Sequence, residues 1–148
     1  MVKLPRPSGE DDMELAQVTI DRLFAAARQA QANAWAPYSR FRVGAAVLAE
    51  DGRVFVGCNL ENASFGLTVC AERNALAATV VAGAKPIAVA VVGPQVGLPP
   101  CGACRQVLAE FGLDLHVLLT AQEPPGYQVF TVGDLLPSSF AFEQPSLR

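Results

Sequence analysis

Apolar residues near the start of the chain recur at the spacing of an α-helix. One face of the pattern holds an apolar side chain every three or four residues: Ala16, Ile20, Leu23, Phe24 and Ala27. Polar residues occupy the opposite face, as expected for an amphipathic helix packed on a core. Asp11 and Asp12 are good capping residues, and Pro37 disfavours helix at the residue before it. The sequence therefore predicts a helix from about residue 11 or 12 to residue 36, after a flexible arm at 1–10.

The remaining apolar runs predict five strands and two further helices. Strands are predicted at 41–49, 54–59, 87–92, 115–119 and 127–132, and helices at 69–82 and 101–111. Two of the strands flank Asp51-Gly52, a dipeptide typical of β-hairpin turns. Gly83 and Gly112 follow the helices, where glycine commonly ends a helix. The order α-β-β-α-β-α-β-β predicts an α/β fold with one central sheet and helices on its faces.

The connection between the last two predicted strands is short. Only residues 120–126 separate them, whereas a parallel crossover needs a dozen or more residues. The two strands are therefore predicted to be antiparallel. A chain of 148 residues has the length of one domain, and no linker or repeat divides it. Residues 1–148 are predicted to form a single domain that ends in a C-terminal arm at 137–148.

The composition narrows the classes of partner. Lys and Arg number 11 and Asp and Glu number 14, for a net charge of −3, so an extended nucleic-acid surface is not expected. No uncharged run is long enough and free of proline to span a membrane. The N-terminal sequence lacks the apolar core of a signal peptide, which predicts a cytoplasmic protein with reduced cysteines. Only 17 % of the residues are charged, which suggests that another subunit covers part of the surface.

Two cysteines in the segment PCGACRQ, residues 100–106, have the spacing of metal ligands. Cys101 and Cys104 stand three residues apart at the start of a predicted helix, so both thiols can face one ion. By itself the pair fits a redox dithiol, half of a structural zinc site or a chance occurrence equally well. Cys70, at the start of another predicted helix, changes this balance, because three thiolates leave the fourth tetrahedral position of zinc open for water. Cys58 and His116 are the other candidates for a fourth ligand, and both are predicted to be core or edge residues of strands.

Glu72 follows the first of these cysteines by two residues. A carboxylate in the first turn of a helix is favourable without any catalytic role. Beside water on a metal, however, the same carboxylate is a general acid–base catalyst. The combination of C-A-E with P-C-x-x-C matches the known zinc-deaminase signature, which favours the catalytic role. The residues thus indicate a Zn²⁺ enzyme with Cys70, Cys101 and Cys104 as ligands and Glu72 as catalyst.

Several ordered motifs together resemble the small homotetrameric cytidine deaminases. They are YSRFRVGAAV at 38–47, NLENAS at 59–64, CAER at 70–73, PCGACRQ at 100–106 and LLPSSF at 135–140. The resemblance covers nearly the whole chain and implies that family's fold, an α/β/α layered sandwich with a five-stranded mixed sheet and helices on both faces. It implies hydrolytic deamination of cytidine and deoxycytidine to uridine and deoxyuridine in pyrimidine salvage. Zinc-activated water would attack C4 of the base, with Glu72 as the proton shuttle.

The resemblance also assigns the substrate contacts. It places Phe41 against the pyrimidine and the Ala71 amide on the base O2. It places Asn59 and Glu61 on the ribose 3′-hydroxyl, although without the motif both would be ordinary loop residues after a hairpin. It implies a homotetramer in which Phe140 covers the nucleoside of a neighbouring subunit. The alternative is that Phe140 packs on the core of its own subunit.

Some positions depart from the family pattern or have open roles. Phe65, a candidate substrate contact, stands where tyrosine is common, so a contact through that hydroxyl is not expected. Ala141 stands where glycine is usual. Arg73 matches an arginine that hydrogen-bonds to a ligand thiolate in the family. Arg105, next to Cys104, fits the same role or that of a helix-surface residue.

Two other functions fit parts of this pattern. An aminohydrolase of the same fold could act on a cytosine-bearing antibiotic or another nucleoside analogue, although Phe41, Asn59 and Glu61 argue against it. A non-catalytic zinc protein would need a fourth ligand and would not need Glu72. The short connection at 120–126 distinguishes the chain from nucleic-acid-editing relatives, which place a helix between their last strands. The expected partner is therefore a free pyrimidine nucleoside, with no nucleic acid and no membrane.

Overall fold

The structure, a computed structural model, describes residues 2–4 and 13–142. Val2–Leu4 (β1) and Met13–Leu15 (β2) pair as a two-stranded antiparallel ribbon. Residues 1 and 5–12 lie outside the described residues, so the flexible arm expected at 1–10 stays a prediction. Residues 143–148 of the expected C-terminal arm lie outside the described residues. Within the described part of the chain, no helix has the length and apolar character needed to cross a membrane.

The first helix, α1, is Gln17–Ala32 and is shorter at both ends than predicted. The predicted start at residue 11 or 12 is wrong, because the chain is still extended through β2, where Leu15 enters the core with 6 % exposure. Ala16 takes the N-cap position without a side-chain hydrogen bond, so strand pairing and the burial of Leu15 outweigh the capping preference of the aspartates. The helix also ends before residue 36, since the Trp35 N–H donates to the Asn59 carbonyl at 3.0 Å.

Five strands form one mixed sheet in the order β4-β3-β5-β6-β7. They are β3 Gly44–Ala49, β4 Val54–Cys58, β5 Pro86–Val92, β6 His116–Thr120 and β7 Tyr127–Thr131. β3 runs antiparallel to β4 and β5, β5 and β6 are parallel, and β6 and β7 are antiparallel. The prediction of five strands with an antiparallel last pair is confirmed. Gly52 adopts φ +84° between β3 and β4, as the predicted tight turn requires.

Helices cover both faces of the sheet and create two apolar layers. On one face α1 packs on strand residues that include Ala46, Leu48, Ala90 and Leu118. On the other face α2 (Ala71–Val81) and α3 (Gly102–Ala109) pack on the alternate residues of the same strands. The central strand β5 is buried on both sides, as its continuous apolar run predicts. The α/β sandwich is therefore confirmed.

A short helical turn after β7 was not predicted. The strand ends at Thr131, and Val132–Leu135 forms a single turn, α4. The Thr131 hydroxyl accepts from the Asp134 N–H at 3.1 Å, and the Asp134 carboxylate accepts from the Thr131 N–H at 2.7 Å. This reciprocal pattern is a capping box. The three-residue spacing of Thr131 and Asp134 could have predicted the helical turn, but the apolar run at 127–132 indicates a strand up to its end.

Candidate active site

Three thiols from two helix starts converge on one point. Cys70 is the N-cap of α2 and Cys101 the N-cap of α3, and both have the extended backbone of that position. Cys104 lies in the first turn of α3 and is fully buried. The three Sγ atoms lie within 4.8 Å of one another, and those of Cys70 and Cys101 are 3.7 Å apart. Cys58 and His116 lie outside this cluster.

The donor set fits a zinc ion. Tetrahedral zinc with Zn–S bonds of about 2.3 Å holds its sulfurs about 3.8 Å apart, close to the distance between Cys70 and Cys101. The three thiols are the one group of metal-ligating side chains found in the described ranges 2–4 and 13–142. Three protein ligands leave one tetrahedral position open, which is the arrangement of catalytic zinc sites.

Positive charge surrounds the thiols. The N-termini of α2 and α3 both point at the cluster, and each contributes partial positive charge. The Arg73 guanidinium lies 3.6 Å from the Cys70 Sγ and also donates to the Thr68 carbonyl at 3.3 Å. A hydrogen bond from the Cys104 thiol and the contact with Arg73 lower the pKa of Cys70 to about 5. Sharing that proton raises the pKa of Cys104.

Arg105 takes neither the thiolate role nor that of a simple surface residue. Its Nε donates to the Pro100 carbonyl at 2.8 Å, and one terminal nitrogen donates to the Leu135 carbonyl at 2.7 Å. These bonds tie the loop before α3 to the end of α4. Arg105 thus braces the helix that carries Cys101 and Cys104.

Glu72 occupies the first turn of α2 and is only 4 % exposed. It lines a cavity of about 180 Å³ together with Cys70 and Cys101. Burial raises the pKa of Glu72, and the nearby Cys70 charge acts in the same direction. A buried carboxyl group beside three thiols can hold and release a proton within reach of a ligand in the cavity.

Most of the predicted substrate contacts border two adjoining cavities. Phe41, Asn59 and Ala71 line the cavity that contains Glu72. Glu61 and Phe65 line a second cavity of about 330 Å³. The residues that sequence reasoning did not assign to the site are Val43, Thr68, Leu98 and Pro99 in the first cavity and Tyr38, Ser39 and Thr68 in the second. The sequence could have suggested them only by proximity, since each lies within or close to a segment that holds an assigned residue: Cys70, Cys101, Phe41 or the YSRF motif.

Asn59 joins the end of β4 to the segment before β3. Its Oδ1 accepts from the Val43 N–H at 2.8 Å, and its Nδ2 donates to the Phe41 carbonyl at 2.7 Å. The side chain is 9 % exposed. Asn59 therefore positions Phe41 in the cavity wall, a structural role that its sequence context did not indicate.

The Glu61 carboxylate is also held by its own chain. It accepts hydrogen bonds from the backbone N–H groups of Tyr38 and Ser39 and from the Ser39 hydroxyl. The bond from the Ser39 hydroxyl is the main cause of the lowered pKa of Glu61. The carboxylate is thus a fixed anionic acceptor at the edge of the second cavity.

Phe140 borders neither of these cavities. Its ring is 68 % exposed and stacks edge-to-face on Phe142, with ring centroids 5.1 Å apart. The Gln106 side chain on α3 donates to the Phe140 carbonyl at 2.8 Å. This hydrogen bond holds the segment around Phe140 against α3 of the same chain, while the rings of Phe140 and Phe142 remain exposed.

Comparisons with known proteins agree on one family. Residues 18–120 match the family model described as the cytidine and deoxycytidylate deaminase zinc-binding region. The chain is 49 % identical over 118 residues to a cytidine deaminase of Halalkalibacterium halodurans, covering 78 % of this chain and 89 % of the relative. It is 42 % identical over 129 residues to a cytidine deaminase of Sporosarcina psychrophila, covering 86 % and 95 %. The crystal structure of cytidine deaminase from Burkholderia pseudomallei superposes with a TM-score of 0.77 at 46 % identity, covering 85 % of this chain and all of that one.

Proposed function

The chain belongs to the cytidine and deoxycytidylate deaminase family, and we propose that it hydrolyses cytidine and deoxycytidine to uridine and deoxyuridine with release of ammonia. It is a zinc-dependent enzyme that deaminates cytidine. One observation carries this function: the thiols of Cys70, Cys101 and Cys104 converge where the buried Glu72 carboxylate lines the same cavity. The reaction has the chemistry of a pyrimidine salvage step.

Cys70, Cys101 and Cys104 would hold the zinc ion. When bound, zinc lowers the pKa of water and so supplies the nucleophile that C4 of the base requires. Three thiolates with a divalent ion leave a net charge of −1, which opposes this acidification. The Arg73 guanidinium, 3.6 Å from the Cys70 Sγ, and the two helix N-termini offset that charge.

Glu72 handles the protons of the reaction. Its carboxylate takes a proton from the attacking water and delivers one to N3 of the base. It then takes the proton of the hydroxyl group now on C4 and delivers it to the amino nitrogen. The C4–N bond breaks, the C4 carbonyl forms, and ammonia leaves. One carboxylate can serve all of these transfers because the reacting atoms are held close to it throughout.

The cavity walls supply the substrate contacts. The Phe41 ring packs against the pyrimidine, and the Ala71 N–H donates to the base O2. Asn59 and Glu61 receive the ribose 3′-hydroxyl, for which Glu61 offers a carboxylate already oriented by Tyr38 and Ser39. Phe65 closes the outer cavity with an apolar ring, which packs edge-to-face against Tyr38 at a centroid distance of 5.6 Å.

The substrate is proposed to be a free nucleoside. β6 and β7 form an antiparallel hairpin with no helix between them, unlike the arrangement expected of nucleic-acid-editing relatives. A net charge of −3 also disfavours binding to a polyanion. The four cysteines are free thiols in the structure, which is consistent with a cytoplasmic location.

The enzyme is further proposed to be a homotetramer with shared active sites. Large apolar side chains are unusually exposed on the single chain: Phe65, Leu67, Val81, Phe140 and Phe142 are each at least 65 % exposed. Phe140 and Phe142 are in ring contact, and contiguous exposed apolar surface of this kind marks contact surfaces. Phe140 would cover the nucleoside of a neighbouring subunit, since it borders neither cavity of its own.

A spectrophotometric assay of the purified zinc-loaded protein tests the substrate assignment. Cytidine and deoxycytidine should both lose their amino group with release of one ammonia each. Cytosine without ribose should react far more slowly, because Asn59 and Glu61 would lose their partner. Turnover of a cytosine-containing oligonucleotide, or none with either nucleoside, would overturn the proposal.

A further inference from the structure

Gly57 lies where the edge strand β4 supports helix α2. A Cβ atom built at this glycine would stand 2.5 Å from the Ala71 carbonyl oxygen, closer still to the Ala75 nitrogen, and 3.0 Å from the Ala75 Cα. All three are backbone atoms of α2. An ordinary van der Waals contact begins at 3.4 Å, so a methyl group here requires the strand and the helix to separate by about 1 Å.

The part of α2 that meets Gly57 is the part that carries the chemistry. Cys70, Ala71, Glu72 and Arg73 form its first turn. The other two thiols belong to α3, whose start follows β5 and not β4. A movement of α2 away from β4 would therefore change the distance from Cys70 and Glu72 to the other half of the site.

A second contact also fixes the distance between α2 and β4. The Asn74 side chain donates from Nδ2 to the Cys58 carbonyl at 2.8 Å. Asn74 lies one residue before Ala75, and Cys58 is the residue after Gly57. The close approach and this hydrogen bond together join the last two residues of β4 to the first turns of α2.

We propose that Gly57 is a positioning residue for the reaction: its missing side chain sets how deeply α2 packs on β4, and so aligns Cys70 and Glu72 with Cys101 and Cys104. Asn74 holds the helix at that depth. Gly57 itself contacts neither substrate nor metal. This inference rests on the zinc site of the proposed function.

Gly44 offers a matched control on the other face of the sheet. A Cβ atom there would stand 2.5 Å from the Gln31 nitrogen and closer still to the Ala27 carbonyl oxygen, both backbone atoms of α1. The steric conflict is thus more severe than at Gly57, but α1 carries no residue of the site. Gly44→Ala should therefore cost at least as much stability as Gly57→Ala while displacing a different helix.

The experiment compares the two variants with the unchanged chain. Both should lower the thermal unfolding midpoint. Only Gly57→Ala should shift the thiolate absorption bands of the cobalt(II)-substituted protein, and only Gly57→Ala should weaken zinc binding in chelator competition, by about 10- to 100-fold. Its kcat should fall by about 10²-fold, as expected for a 1 Å displacement of reacting groups, with a smaller change in KM.

The outcomes separate this inference from the proposed function. A wild-type cobalt spectrum, zinc affinity and kcat in folded Gly57→Ala would overturn the positioning role, as would equal changes in Gly44→Ala. If Gly57→Ala does not fold, Asn74→Ala decides, with a spectral shift supporting the inference and an unchanged spectrum overturning it. If the wild-type protein itself binds no zinc, the proposed function is overturned as well.

Discussion

Asn59→Ala tests how the cavity wall is held. The substitution removes two hydrogen bonds, one to the Val43 N–H at 2.8 Å and one to the Phe41 carbonyl at 2.7 Å. Val43 is 9 % exposed and its bond to Asn59 is buried, so its N–H has little access to water, whereas the bond to the Phe41 carbonyl is only partly buried. We expect the variant to lose stability, because the segment that carries Phe41 would no longer be anchored. It should also bind substrate less tightly, because both this anchoring and the proposed contact with the ribose 3′-hydroxyl are lost.

The size of the effect follows from the two backbone groups that lose their hydrogen-bond partner, the Val43 N–H and the Phe41 carbonyl. A buried polar group left without a partner costs about 1–3 kcal/mol, and the Phe41 carbonyl lies at the low end because water can reach it. The free energy of unfolding should therefore fall by about 2–4 kcal/mol. For a chain near 150 residues this corresponds to a decrease in Tm of roughly 5–15 °C.

Denaturant unfolding and steady-state kinetics measure the two effects. Asn62→Ala is the matched control, since Asn62 is exposed and makes one local bond to the Ser64 N–H at 2.8 Å; it should change stability by less than about 0.5 kcal/mol. Asn59→Asp keeps an acceptor for the Val43 N–H but sets a carboxylate oxygen against the Phe41 carbonyl, so it should be at least as destabilised as Asn59→Ala. Equal stability of the Asn59→Ala and Asn62→Ala variants would refute the anchoring role.

Three further predictions concern the metal, the catalyst and the assembly. Glu72→Ala should keep its zinc but lose several orders of magnitude in kcat, because each proton transfer contributes about 10²–10⁴-fold; turnover above about a tenth of wild type would exclude Glu72 as the shuttle. Metal analysis should find about one zinc per chain, lost in Cys104→Ala and kept in Cys58→Ser, and zinc loss from the Cys58 variant would contradict the ligand set. Truncation after Pro137 should raise KM with zinc retained, and mixing the truncated chain with Glu72→Ala subunits should restore activity. No restored activity in chains shown to exchange subunits would argue against a shared site.

Local patterns in the sequence determined the elements and their order. Strand and helix periodicity is a property of neighbouring residues, so β5 and the paired strands β3 and β4 were predictable from their apolar runs and the Asp51-Gly52 turn. The short connection at 120–126 was enough to establish the antiparallel hairpin, because chain length alone forbids a crossover. The spacing of Cys101 and Cys104 placed two thiols on one side of a helix start for the same local reason.

Contacts between distant residues decided the rest. The start of α1 depends on the burial of Leu15, and a capping residue at 11 or 12 carries no information about that burial. Whether Arg105 would face a thiolate or a carbonyl depended on α4 passing beside it, 30 residues along the chain. The anchoring of Phe41 by Asn59 exists because the β3–β4 register brings residues 41 and 59 together. The sequence therefore predicted which side chains would carry the chemistry, and the tertiary structure decided how they are held, since packing and hydrogen bonding depend on residues that are remote in the chain.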